Sequence, residues 1–324
     1  MLNTIESPAA TRLEHFPITF FAMIMGITGL TLAWEKAAQV FGAPIVISQA
    51  LLIISASLFA IVTIIFLLKV LLKGAAVQAE FAHPIKLSFF PAFSISMLLL
   101  SIATLSLSEQ LSLLLWAAGS ALHLLFTLYV LTQWIHHPKF QIAHSTPAWF
   151  IPVVGNILVP IAGVEHGFIE LSWFFFSIGL VYWIILKTLI LNRMLFHDPL
   201  PEKMLPTLFI LIAPPAVGFI SYIKLNGELD NFARILYYSA IFLVLLLLSQ
   251  LPRFTRINFY MSWWAYSFPL AASAIATQLI YSLTGDAFFY YLAFALLALT
   301  TTVILLLLAR TAVAIVRNEI CQPE

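Results

Sequence analysis

Residues 259–284 read FYMSWWAYSFPLAASAIATQLIYSLT, and beyond Gly285 and Asp286 the chain continues as AFFYYLAFALLALTTTVILLLLA over 287–309. A helix crossing the hydrocarbon core of a bilayer needs about 20 mostly apolar residues, and both stretches are long enough. They differ in kind. The first carries Pro269 in its interior together with Ser262, Ser267, Ser273, Thr277 and Gln278, whereas the second has no proline. Proline removes an intrahelical hydrogen bond and clashes with the preceding turn, so it bends a helix. The pair therefore reads as a hairpin of one bent helix and one straight one.

The same pairing recurs toward the N-terminus. Apolar runs between charged or turn-forming breaks give ten segments: 16–35, 44–68, 84–105, 110–135, 146–164, 168–191, 204–223, 231–250, 259–284 and 287–309. Proline falls within or at the start of every odd-numbered segment: Pro17; Pro84 and Pro91; Pro147, Pro152 and Pro160; Pro206, Pro214 and Pro215; Pro269. The interiors of the even segments have none. The predicted fold is an all-α integral membrane protein of ten helices arranged as five hairpins. Loops are short and no linker divides the chain, which predicts a short N-terminal segment at 1–15, one membrane domain at 16–316 and a tail at 317–324.

Composition agrees. Only 9% of residues are charged and 62% are apolar, against roughly 25% charged in soluble domains. The formal net charge of +1 gives no reason to expect a nucleic-acid partner. Cys321 is the single cysteine, which excludes an intramolecular disulfide and a cysteine cluster. Glu6, Arg12 and Glu14 interrupt the first fifteen residues, so no cleavable signal peptide is expected there.

Orientation follows from Lys and Arg in the short loops. With ten spans, the side holding both termini collects Arg12, Lys69, Lys73, Lys86, Lys139, Lys187, Arg193, Lys203, Arg253, Arg256, Arg310 and Arg317, leaving Lys36, Lys224 and Arg234 on the other. Both termini are expected in the cytoplasm, with the protein in an inner (plasma) membrane.

Bent helices free carbonyls that need partners, so they belong inside a bundle or beside a water-filled cavity. Straight helices suit lipid. Five bent helices ringed by five straight ones leave an axial hole unless large side chains fill it. Its expected lining is nearly free of ionisable groups, with Asn156 the most polar side chain of the fifth segment, Lys86 at a helix end, and no fixed cation of the odd segments expected to face the pore. Helix restarts after a kink present partial positive charge, hydroxyls add donors, and no carboxylate repels an anion. The lining thus favours weak anion binding and passage. Aromatics near the kinks, Phe20, Phe89, Phe90, Phe150 and above all Phe268 beside Pro269, are candidates to plug the hole.

Other constellations carry less. His123 reads as a hydrogen-bonded packing residue of the fourth segment. His136, His137 and His144 with Lys139 have no cysteine or carboxylate beside them and read as a solvated loop. Glu165, His166 and Glu170 read as an outer loop. No nucleophile elbow, zinc-protease, P-loop or dinucleotide motif occurs, so neither enzyme chemistry nor a cofactor is expected.

Several stretches resemble the plant slow anion channels and their bacterial TehA-like relatives in the tellurite-resistance/dicarboxylate transporter family. They are Gly26-Ile-Thr-Gly-Leu30 with Ala33-Trp34, His83-Pro84 followed by Phe89-Phe90, Pro152-Val-Val-Gly155-Asn156, Ala213-Pro214-Pro215-Ala-Val217, and Trp263-Trp-Ala-Tyr-Ser267-Phe268-Pro269. The resemblance implies a quasi-fivefold arrangement with the odd helices lining a pore, a homotrimer with one pore per protomer, and occlusion by a phenylalanine matching Phe268. Pore-lining or kink positions are then expected at Phe20, Gly26, Phe90, Pro91, Pro152, Gly155, Asn156, Pro214, Pro215, Ser267 and Pro269. The expected function is a passive channel for small inorganic anions such as nitrate and chloride. The alternative is a secondary carrier of dicarboxylates or tellurite.

Overall fold

In a bilayer no water is available to satisfy backbone N–H and C=O groups, so an uninterrupted apolar chain must satisfy them internally as helix. A computed structural model describes residues 12–322, and helices with short turns make up the whole of it, with no strand among the described residues. Of the expected terminal segments, residues 1–11 and 323–324 lie outside the described range. The molecule is an all-helical integral membrane protein. Eight of its described helices are long and apolar enough to cross a bilayer. The fifth segment, Pro147–Gly163, is a shorter apolar helix. The ninth runs as Met261–Tyr266 and Ser267–Thr284.

The odd segments pack side by side in a closed circuit: first on third, third on fifth, fifth on seventh, seventh on ninth, and ninth back on first. Each even segment lies against the two odd ones it separates or joins. Burial follows the same division. In the most apolar stretch of the seventh segment 83% of residues are buried, against 17% in the second.

Proline acts at a common level in the odd segments. Each begins as a 3₁₀ turn; the third, seventh and ninth become α-helical within two residues of a proline, whereas in the first Pro17 precedes the 3₁₀ turn. The α-helices start at Phe21, Ala92, Ala213 and Ser267, after 3₁₀ stretches Ile18–Phe20, Lys86–Phe89, Glu202–Ile212 and Met261–Tyr266. The fifth is the most broken, α over Phe150–Val154, 3₁₀ over Gly155–Leu158 and α again over Val159–Gly163. Such 3₁₀ runs are usually short because their hydrogen-bond geometry is poorer, so eleven residues of it in the seventh segment mark a departure imposed by Pro206.

At the opposite ends, four of the five odd-to-even turns contain a glycine at positive φ: Gly42, Gly167, Gly227 and Gly285. That conformation costs glycine little and ends a helix sharply. The next helix is then capped where the chain supplies an acceptor, as Asp230 does for the Ala233 N–H at 2.8 Å and Asp286 for Phe288 at 2.8 Å. The turn after the third segment, which has no such glycine, uses Ser108, whose Oγ accepts from the Leu111 N–H at 3.3 Å.

The two ends of the described chain meet on one face, where Arg12 Nη2 donates to Asn318 Oδ1 at 2.6 Å. We call this the terminal face. The second segment runs farther toward it than its charges suggested, as one helix over Ile45–Leu72 followed by a short helix, Gly74–Ala82. The reason is local. Lys69 is fully buried and donates to Glu80 Oε1 at 2.7 Å and to the Phe16 carbonyl at 2.8 Å, so its charge is met inside the protein and does not end the helix.

Candidate functional site

Two cavities lie along the axis of the inner circuit, and residues from all five odd segments line each. The one toward the terminal face is about 80 Å³, with room for a few waters or one small ion. Its wall is made of the segments' break points, among them Ala22, Ala92, Gly155, Ala213, Pro214 and Pro269, and contains no ionisable side chain. The far-side cavity is about 530 Å³ and has a polar rim. Three residues belong to both walls: Leu158, Val217 and Phe268. They stand where the cavities are divided.

Phe268 is placed by the turn before it. Ser267 Oγ donates to the Trp264 carbonyl at 2.6 Å, and the fully buried Trp264 indole donates to Thr311 Oγ1 of the tenth segment at 3.0 Å. This ties the 3₁₀-to-α junction to the outer helix. The ring then packs toward the first segment, where Gly29 makes room: a Cβ there would sit 3.2 Å from Phe268 Cδ2 and 3.0 Å from Ala271 Cβ. Three residues earlier, a Cβ on Gly26 would run into the Ser267 side chain. A side chain at position 26 would displace Ser267, and one at position 29 would press on Phe268 and Ala271, so glycine at both suits the close approach of the first and ninth segments. Phe268 retains 9% exposure, all that its place between two cavities leaves it.

The far-side rim departs from the sequence expectation that no fixed cation of the odd segments faces the pore. The first and seventh helices extend through Phe41 and Asn226, which carries Lys36 and Lys224 onto the cavity wall. Glu35, Glu109, Glu165 and His166 share that wall. Lys224 is ion-paired with Glu165, and Ser106 Oγ donates to Glu35 at 3.2 Å. The outer-loop reading of Glu165 and His166 thus gives way to a place on the cavity rim.

Of the expected residues, Phe268, Gly155, Pro214 and Pro269 line a cavity, as do Phe89 and Phe150. The others stand behind the wall. Phe20 stacks on Phe16 at 4.6 Å, and Phe90 packs edge-on against Phe81 at 4.7 Å. Pro91 caps the helix Ala92–Thr104, and Pro215 sits in the first turn of Ala213–Asn226. Pro152 accepts through its carbonyl from Thr127 Oγ1 at 2.7 Å, and Asn156 donates to the same hydroxyl oxygen at 2.9 Å. His123 is fully buried and bonded to Ser94 at 2.8 Å. The loop histidines serve their own backbone: His137 Nδ1 accepts from the Lys139 N–H and His144 Nδ1 from that of Gln141. Leu158 and Val217 carry no sequence signal, being aliphatic residues in an aliphatic chain. Only their register, a short way beyond a break, sets them apart.

An all-helical membrane protein with two cavities along its inner circuit has the build of channels and carriers. The description of the SLAC1 family, voltage-dependent anion channel, matches residues 15–312. The S-type anion channel SLAH3 of Arabidopsis thaliana is 30% identical over 272 residues, 82% of this chain and 43% of that protein. An uncharacterized transporter of Methanocaldococcus jannaschii, MJ0762, is 27% identical over 334 residues, 95% of this chain and 97% of its own length. The tellurite resistance protein TehA homolog of Haemophilus influenzae is 24% identical, covering 86% of this chain and 85% of itself. The chain spans about half the length of the plant channels SLAH3, SLAH2 and SLAC1 that it matches. It belongs to the SLAC1 family of voltage-dependent anion channels. That family consists of channels and transporters, not enzymes.

Proposed function

We propose that this protein is a passive channel for small monovalent anions, nitrate and chloride foremost, with its path along the quasi-fivefold axis of ten membrane-crossing segments in one membrane domain. The observation that carries this reading is the position of Phe268, together with Leu158 and Val217, between two axial cavities. The terminal-side wall carries no charge and binds an anion weakly, which fast passage requires. The terminal face is cytoplasmic, because cations crowd it, and they raise local anion concentration at that mouth. The broad apolar flanks of the outer helices fit a homotrimer within a plasma membrane, and cross-linking that stops at dimers would count against three copies.

Phe268→Ala should raise anion conductance in planar bilayers by on the order of tenfold or more, by removing the plug without charging the wall. A variant present in the membrane at normal amounts but carrying no more current than wild type would overturn the gate. Reversal potentials under nitrate, chloride and malate gradients then rank the ions. A second reading, a carrier for dicarboxylates, is favoured by Lys36 and Lys224 on one cavity wall. It predicts saturable malate uptake that falls when Lys36 is replaced by alanine.

A further inference from the structure

Behind the fifth-segment break lies a group that the proposed conduction path does not use. Gly155 lines the terminal-side cavity, and His123 of the fourth segment lies against its other side: a Cβ on Gly155 would come within 2.6 Å of both Cε1 and Nε2 of the imidazole. The ring therefore reaches the back of the cavity wall at the one residue whose side chain is a hydrogen atom.

The hydrogen bonds around it assign its protons. Ser94 Oγ has one hydrogen and two contacts, the Pro91 carbonyl at 2.9 Å and His123 Nδ1 at 2.8 Å. A carbonyl only accepts, so both contacts are hydrogen bonds only if Ser94 donates to Pro91 and His123 Nδ1–H donates to Ser94. Nε2 is then a bare lone pair, and it is buried with no partner. The adjoining residue repeats the pattern. Asn156 Nδ2 donates to Thr127 Oγ1 at 2.9 Å and to the Val153 carbonyl at 2.6 Å, leaving Oδ1 a buried acceptor with no donor. Two fully buried acceptors on either side of one wall position call for a donor, since each is costly to leave unpaired.

We propose that His123 Nε2 is a protonation site behind the wall of the terminal-side cavity, and that anion occupancy of the cavity and protonation of His123 favour one another. This rests on the axial anion path proposed above. The third and fifth segments, packed against His123, contribute Ser94, Ile95, Pro152, Gly155 and Asn156 at this level and no ionisable side chain over 92–104 or 150–163. The fourth helix itself has titratable groups only toward its ends, at Glu109, Tyr129 and His136. No carboxylate balances an imidazolium here, so its counter-charge is an anion across the Gly155 wall, and in a low dielectric that attraction is strong. A hydronium ion entering the cavity gives its proton to Nε2, forming the Nε2–H bond and leaving neutral water; Nδ1–H keeps its hydrogen bond to Ser94. Ser94 and Asn156 position the ring and the entering donor.

The test uses full-length protein in lipid. Nitrate current through the Phe268→Ala channel should rise about threefold as pH falls from about 7.5 to about 4.5, as the imidazole takes up its second proton. His123→Gln and His123→Leu in the same background should keep the current of neutral pH and lose that rise. The far-side carboxylates and loop histidines are the same in all these channels, so only the difference reports His123. An unchanged pH response in both variants, or a flat one in the parent, would overturn the proposal. A second readout does not depend on conduction. ¹⁵N spectra of histidine-labelled protein should contain one Nδ1–H, Nε2-bare tautomer that is missing from His123→Gln and that protonates at higher pH in nitrate than in an impermeant-anion buffer. An Nε2–H tautomer, or no response to nitrate, would also overturn it. Absence of current in every variant with the nitrate-dependent tautomer intact would instead fault the channel reading.

Discussion

The seventh and eighth segments make an instructive pair. They have the same mean hydropathy, yet 83% of the apolar stretch is buried in Glu202–Asn226 and 39% in Asn231–Leu248. Hydropathy measures exclusion from water, and both lipid and protein interior exclude water. It cannot say which of the two a helix faces. The distinction lies in what each helix needs. Pro206, Pro214 and Pro215 open the hydrogen-bond ladder of the seventh, which must then be enclosed. The eighth is an unbroken Leu- and Ile-rich helix capped by Asp230 and needs no enclosure.

The sharpest way to break that contrast is at the plug. Phe268→Ala is expected to have the largest effect on current of any single change, because it joins the two cavities. A lipid-facing phenylalanine of the outer ring, Phe242→Ala, should leave current at the wild-type level. Leu158→Ala and Val217→Ala, measured in the same bilayers, should each raise current several-fold less than Phe268→Ala, since each removes one side of a three-sided constriction.

Folding gives the next tests. Gly26→Val forces atoms into the Ser267 side chain, an overpacking expected to cost about 1–3 kcal/mol and seen as less folded protein by size-exclusion and thermal melting in detergent. Ile27→Ala, fully buried in the inner ring, should cost about 2–4 kcal/mol through its cavity. Ile64→Ala on the second helix, 59% exposed, should stay within about 0.5 kcal/mol. Equal losses at Ile27 and Ile64 would undo the inner–outer division. At the small end, Lys36→Ala should shift block by anions added on the far side with little effect on single-channel current, because the rim already pairs Lys224 with Glu165.

Much of the architecture was legible before any coordinates. The alternation of proline-bearing and proline-free segments anticipated which helices are enclosed, because proline has a fixed backbone consequence in any context. The short loops between segments were equally readable. The site was legible in part. Phe268 stood out beside Pro269 in a run with recognisable relatives, but Phe20 and Phe90, equally close to a kink, turn into the packing between segments. Nothing local separates these cases, since the direction of a side chain about the axis depends on where its helix restarts. The same holds for Lys36 and Lys224, which read as loop residues until the helices proved to run a turn farther.

Backbone chemistry written into single residues, the prolines, the glycines of the turns and the near-absence of charge, determined by itself that this is a membrane bundle of bent and straight helices. Which side chains meet on the axis, that Leu158 and Val217 join Phe268, and that His123 rests behind Gly155, only the tertiary structure decided. Those are relations between segments far apart in the chain, set by the rotation and depth of each helix against its neighbours, and no residue carries that information alone.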